Sequence, residues 1–339
     1  MIDAGHLLAP LLALHERIRD HVLAQCRERA REMAVVADAS PGGDTIYALD
    51  RVGEPALVEG FEAIARHEPL RLIGEGLPEG GVVLPRGAPE RDCRWRVLVD
   101  PIDGTRGLMY QKRSAWILTG VAPDRGGDTR LRDIVLAVQT EIPTLKQHLA
   151  DQLWSLRGGG AHGRRANLTT GASEPLGFHP ATADTIAHGF ATVVRFFPGA
   201  RDVLAALDDD LAQLLLGPVP PGQAGCFEDQ YASTGGQLYE LMAGHDRFIA
   251  DLRPLVAGVR ESRGLPRGLC CHPYDLASAL IAEEAGIELT TPDGGLLDAP
   301  LDVASDVAWV GYANRLLRER VEPVLQGALR RHGLLPGPP

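Results

Sequence analysis

Apolar residues recur along this chain with two periods, and the period changes from segment to segment. Between residues 5 and 36, Leu7, Leu8, Leu11, Leu12, Ile18, Val22 and Leu23 fall at helical spacing, with Glu16, Arg17, Arg19 and Asp20 between them. This predicts one or two amphipathic helices, with Pro10 marking a start or a kink. The cluster Ser40-Pro41-Gly42-Gly43-Asp44 predicts a turn, Thr45 to Leu49 a short strand ending at Asp50, and residues 52–67 a second amphipathic helix carrying Leu57, Val58, Phe61 and Ile64. Leu70 to Ile73 reads as a strand closed by Gly74-Glu75-Gly76, and the Gly-, Pro- and charge-rich stretch 77–94 as a loop or hairpin. Val97-Leu98-Val99, Ala115 to Ala122 and Ile134 to Val138 run apolar or alternate as sheet strands do.

The second half alternates strand and helix. Ala191 to Phe197 predicts a strand, and residues 201–216 a helix stopped by Gly217 and the breaker run Pro218 to Gly222. Thr234 to Ala243 predicts a helix, Arg247 to Ala250 a strand, and Tyr274 to Ala285 a helix ended by Gly286. Val307 to Gly311 predicts a late strand and residues 314–331 a closing helix. Such alternation argues for an α/β layer. Gly158-Gly159-Gly160 predicts a turn rather than a phosphate cradle, because no lysine or hydroxyl residue follows at P-loop spacing.

Composition narrows the classes. The 339 residues suffice for one large domain or two ordinary ones, and 45% hydrophobic with 23% charged residues is ordinary for a globular chain. A net charge of −11 argues against binding a nucleic-acid polymer, which needs a basic face. No segment approaches the ~18 continuous apolar residues of a membrane span. Asp3 and His6, with no basic lead-in, argue against a secretory leader. Five cysteines (Cys26, Cys93, Cys226, Cys270 and Cys271) with no C-x-x-C pair fit a reduced, cytoplasmic chain.

The stretch Asp100-Pro101-Ile102-Asp103-Gly104-Thr105 changes the picture most. It follows the apolar strand 97–99 and sets two carboxylates three residues apart, then a glycine and a hydroxyl. Carboxylate oxygens bind Mg²⁺, and free backbone N–H groups after Gly104 can hold an anion. The same letters also make good turn chemistry. Glu75 after one strand, Asp275 at a helix start and Asp50 add carboxylates at the ends of elements. Asp275 alone would suit a helix N-terminus, but together the acids suggest a two-metal site.

These residues resemble the inositol monophosphatase-like superfamily of Mg²⁺-dependent, often lithium-sensitive phosphatases. Asp100 to Thr105 is similar to its central signature, Ile73-Gly74-Glu75 to its upstream Gly-Glu, and Tyr274-Asp275-Leu276-Ala277 to its Trp-Asp-x-Ala. Glu284-Ala285-Gly286, Gly294 to Asp298 and Val310 to Asn314 follow in the same order. The resemblance implies an α/β fold, a layered αβαβα sandwich of the inositol monophosphatase and fructose-1,6-bisphosphatase type. Its α+β half would span 1–186 and its α/β half 187–339. It also implies that Glu75, Asp100 and the Ile102 carbonyl hold one Mg²⁺, and that Asp100, Asp103 and Asp275 hold a second. A third ion, or Mn²⁺ in place of Mg²⁺, fits the same donors. Thr105 with Asp50 would orient and deprotonate the attacking water. The N–H groups of Gly104 and Thr105 would hold the phosphate, while Ser233, Thr234, Gly235 and Asp251 would meet substrate hydroxyls. A homodimer is family habit.

Departures fall on the substrate side. Gly76 takes the place of a second acid, for which Glu79 is a substitute; Arg106-Gly107-Leu108 follows the signature; Tyr274 replaces a tryptophan; Ile287 replaces a second glycine. Residues near 123–150, 166–185 and 253–270 are additional to a minimal member. Arg106, Lys112 and Arg113 are cations near the signature, and one of them could meet a second anionic group. The expected substrate is a small phosphorylated polyol or sugar, with fructose 1,6-bisphosphate, a 3′-phosphonucleotide and histidinol phosphate as alternatives. A non-catalytic protein that binds metal or ligand is the rival of another class.

Overall fold

A computed structural model of the chain describes residues 3–29, 57–78 and 80–337. Asp50, the expected strand 45–49 and Glu79 lie outside the described residues. Eight strands build the first sheet: β1 (Leu70–Gly74), β2 (Val82–Leu84), β3 (Trp95–Asp103), β4 (Ala115–Pro123), β5 (Leu136–Ile142), β6 (Leu149–Leu156), β7 (Ala161–Asn167) and β8 (Ser173–Leu176). Their order is β2-β1-β3-β4-β5-β6-β7-β8, with β1 and β3 parallel and every other pair antiparallel. Four more strands, β9 (Phe190–Val193), β10 (Asp246–Asp251), β11 (Glu288–Thr290) and β12 (Trp309–Tyr312), form a second sheet ordered β11-β12-β10-β9, in which β9 and β10 are parallel.

The first sheet is apolar on both faces, which is why its central strands read as continuous apolar runs. Val97, Val99, Ile117, Val121, Leu136 and Val138 face one core together with the N-terminal helix Gly5–Arg29 and the helix at 57–65. The alternate residues Leu98, Trp116, Leu118 and Ala137 face the larger core shared with the second half. Leu7, Leu11, Leu14, Ile18 and Val22 are the buried stripe of the N-terminal helix, which packs on β5 and carries Pro10 inside it. Helices Thr234–Met242 and Ala279–Glu284 lie between the sheets, and helices Arg201–Leu216 and Arg315–Arg331 cover the far side of the second sheet. The layers therefore run αβαβα. No helix among the described residues is long and apolar enough to cross a membrane.

Several boundaries differ from the sequence pattern, each for a local reason. The strand expected over 191–197 ends at Val193; the Val194 N–H still donates to the Ala250 carbonyl of β10, but from Arg195 on the backbone turns to side chains, its N–H donating to Gln230 Oε1 and its carbonyl accepting from Arg201. The helix expected over 274–285 breaks into a 3-10 turn, Pro273–Leu276, and the helix Ala279–Glu284. Asp275 closes that turn by accepting the His272 N–H at 2.6 Å, and buried Ser278 donates to Gln139. Strands β6, β7 and β8 extend the first sheet through a region with no expected elements besides the glycine turn. The metal-type signature is itself part of a strand, since β3 continues through Asp103 with a shift in register between Asp100 and Asp103.

Candidate active site at the ends of two parallel strand pairs

Ligands of α/β folds bind beyond the carboxyl ends of parallel strands. Here both parallel pairs end at one cavity of about 170 Å³. From the first sheet come Glu75 after β1, Asp100 and Asp103 of β3, then Gly104, Thr105 and Arg106. Past the ends of β9 and β10 come Phe196, Phe197 and Arg253, joined by Leu269, Cys270 and Tyr274. Asp275 and the segment Ala232 to Thr234 complete the lining.

Asp100, Asp103 and Asp275 each present a carboxylate oxygen, all within 4.8 Å of one another. Asp103 is the best supported. Its Oδ2 accepts the Ser233 hydroxyl at 2.7 Å and the Gly235 N–H at 2.6 Å, and its Oδ1 the Thr234 N–H at 3.3 Å. These N–H groups belong to the first turn of the helix Thr234–Met242, whose partial positive charge favours an anion. Ser233 caps that helix as well, accepting the Gly236 N–H at 2.9 Å. Asp100 accepts the Ile102 N–H at 2.9 Å.

Burial dominates the electrostatics. It pushes Asp103 up to about 6 against the pull of its three donors. Asp100 is raised well above the usual carboxylate range by burial and by Glu75, Asp103 and Asp275 around it, and Asp275 is raised well above that range too, by burial and Asp103. Partial burial raises Glu75. Several carboxyls that repel one another in a shared cavity are a donor set short of positive charge. Oxygen donors only, converging within a few ångströms, fit a hard dication such as Mg²⁺ or Mn²⁺. Arg253 and His272 offset the repulsion in part.

The structure brings Glu75, Asp100, Ile102, Asp103, Gly104, Thr105, Ser233, Thr234, Asp275 and Arg106 to the cavity. Thr105 opens the short helix Thr105–Met109, capped by Gly104 at φ 92°, and its hydroxyl donates to the Ile102 carbonyl at 2.7 Å. Gly235 is set back, with its N–H spent on Asp103. Asp251 departs from its expected role. It is fully buried, outside the cavity lining, and its carboxylate accepts the Arg253 guanidinium at 2.8 and 3.0 Å, so it has no oxygen to offer a polyol. Arg113 pairs with Asp229 and lies over the Tyr231 ring, away from the cavity, whereas exposed Arg106 is at its rim. Phe196, Phe197, Arg253, Leu269 and Cys270 carry no sequence motif. Only the fold points to them: Phe196, Phe197 and Arg253 follow the carboxyl ends of β9 and β10, and Leu269 and Cys270 come from the segment before Asp275.

No protein-family model matches the chain, and no curated protein is similar to it in sequence. Solved structures are similar in fold. Inositol monophosphatase II from Staphylococcus aureus MSSA476 superposes with a TM-score of 0.59 at 14% identity, over 96% of this chain and 97% of that one. Fructose-1,6-bisphosphatase of Leishmania major superposes with a TM-score of 0.63 at 14% identity, over 96% of this chain and 94% of that one. Matched end to end at such low identity, the chain is a divergent bearer of the inositol monophosphatase and fructose-1,6-bisphosphatase fold.

Proposed function

We propose that the protein is a Mg²⁺-dependent phosphomonoesterase that hydrolyses a small phosphate ester, and that it works in the cytoplasm. The observation that carries the reading is the convergence of Asp100, Asp103 and Asp275 within 4.8 Å, with Glu75 lining the same cavity, on a fold shared with two phosphatases. None of the five cysteines is in a disulfide, which suits a reducing compartment. Glu75, Asp100, Asp103, Asp275 and the Ile102 carbonyl would hold the cations. Bound there, dications supply charge that neutralises the phosphoryl oxygens and acidify water.

The chain's own groups then have distinct tasks. The Thr105 hydroxyl, which donates to the Ile102 carbonyl at 2.7 Å, would orient the attacking water by hydrogen bonding. The water proton would pass toward Asp50, and the water oxygen would form the new bond to phosphorus. The phosphorus–oxygen bond of the ester breaks, its electron pair stays on the alcohol oxygen, and a proton from water completes the alcohol. The N–H groups of Gly104 and Thr105 would bind the phosphate, and Arg106 would meet anionic charge at the rim. Ser233 and the N–H groups of Thr234 and Gly235 position Asp103, keeping one carboxylate in a fixed orientation.

Phosphate release from a panel of small phosphate esters, with Mg²⁺ and with EDTA, tests the reading. Wild type is expected to turn over in Mg²⁺ alone, and Asp100→Asn to lose at least about 10³-fold, since that carboxylate would be among the groups holding the cations. Turnover in EDTA, or near-normal turnover in Asp100→Asn, would remove the metal-dependent mechanism.

A further inference from the structure

The cavity joins two sets of side chains of different chemistry. One is carboxylate. The other is largely apolar: the rings of Phe196, Phe197 and Tyr274 with Leu269 and Cys270, and the planar Arg253 guanidinium among them. We infer that the ester taken by this site carries its phosphate on an alcohol with a planar, unsaturated ring, and that Phe196, Phe197 and Arg253 are the platform on which that ring lies. The inference rests on the phosphatase reading and narrows its substrate class.

Three observations carry it. First, the groups available for a polyol are already engaged. Asp251 is fully buried and bound by Arg253, Ser233 Oγ serves Asp103 and Gly236, and the Thr234 hydroxyl turns to Cys271 Sγ at 3.8 Å. A saturated polyol set against the remaining wall would strip water from its hydroxyls with little return. Second, the platform is built in advance. The rings of Phe196 and Phe197 stand edge to face, 87° apart with centroids separated by 4.9 Å. The Arg253 guanidinium lies 4.8 Å from one ring centre and 5.3 Å from the other. Arg253 is itself held by both Asp251 oxygens and by the Leu269 carbonyl at 3.2 Å. A ring face, a ring edge and a planar cation are each surfaces on which a flat π-system stacks. Third, the apolar wall is left open, since Leu269, which lines it, is 54% exposed.

Three esters of primary alcohols separate the alternatives: benzyl phosphate is planar, cyclohexylmethyl phosphate apolar but puckered, and glycerol 1-phosphate a polyol. In Mg²⁺, wild type is expected to show kcat/KM for benzyl phosphate about tenfold above both others, the scale of one good aromatic contact. Phe197→Leu, which keeps an apolar side chain, should lower kcat/KM for benzyl phosphate about tenfold, chiefly through KM, and close most of the gap. Equal or better use of glycerol 1-phosphate, equal use of the cyclohexylmethyl ester, or a uniform loss on all three in the variant overturns the inference. A parallel calorimetric comparison of benzylphosphonate with cyclohexylmethylphosphonate needs no turnover. If no ester is hydrolysed but benzylphosphonate binds about tenfold tighter, and Phe197→Leu loses that margin, the ring platform stands while the phosphatase reading falls. Equal binding of the two phosphonates, or none, overturns the platform.

Discussion

Asp103 and Asp100 lie three positions apart on one strand, yet the protein treats them differently. Asp103 receives three donors from the start of a helix, so burial raises it only to about 6. Asp100 receives one backbone donor and is surrounded by acids, and rises well above the usual range. Of the two, Asp100 gains more from a cation, which is why its substitution is the sharper probe of the metal site. Thr105 tests the water instead. Its hydroxyl donates to the Ile102 carbonyl at 2.7 Å, and Thr105 is not one of the three clustered carboxylates. Thr105→Ala should therefore lower kcat by about 10²-fold, as expected for loss of water positioning, while Mn²⁺ affinity stays within about threefold. Measured side by side, an unchanged kcat would take Thr105 out of the mechanism.

At the scale of elements, the site depends on close backbone contact between β4 and the 3-10 turn that carries Asp275. A Cβ at Gly120 would come within 2.5 Å of the Ala277 carbonyl oxygen and 2.6 Å of Ile134 Cδ1. Gly120→Ala is expected to cost about 1–3 kcal/mol in urea unfolding, the usual range for overpacking, and to weaken Mn²⁺ binding by displacing the turn. Full stability in that variant would contradict the contact. The N-terminal helix is pinned by His15, whose ring nitrogens lie 3.0 Å from Thr140 Oγ1 and 2.8 Å from Thr119 Oγ1. Burial lowers its pKa to about 3. A histidine depressed in the fold gives stability that is fully present above its unfolded value near 6.5 and is lost as pH falls from there toward 3. Between pH 6.5 and 5.5 this group alone should remove about 1 kcal/mol, and the His15→Asn variant should lack that increment. Urea midpoints at the two pH values measure the difference, and parallel behaviour of the two proteins would count against it. The central strands and the β3 carboxylates were legible because their residues are neighbours in sequence. Strand β7, Ala161–Asn167, was not, since its polar run carries no apolar alternation. Nor was the break at Ala277-Ser278, where Leu276, Leu280 and Ile281 continue a helical spacing across it.

For the whole molecule, what matters is that two sheets of different order aim their parallel pairs at one place. Glu75, Asp100 and Asp103 leave the first sheet there, and Phe196, Phe197 and Arg253 leave the second. No local pattern announces that β9 and β10 are parallel neighbours, so the ring wall could not be read from the chain, whereas the acid cluster could. The same geometry explains why Asp251, expected at the substrate, serves Arg253: it ends β10 pointing into the fold, fully buried. Everything functional in this account turns on whether the acid cluster takes up a dication. Binding of Mn²⁺ at pH 7.5, followed by the electron paramagnetic resonance signal of the free ion, measures this on wild type and Asp100→Asn. Saturable uptake by wild type, displaced by Mg²⁺ and weakened at least about tenfold in the variant, is the result predicted. No uptake by wild type, or equal uptake by both proteins, would contradict the account at its centre.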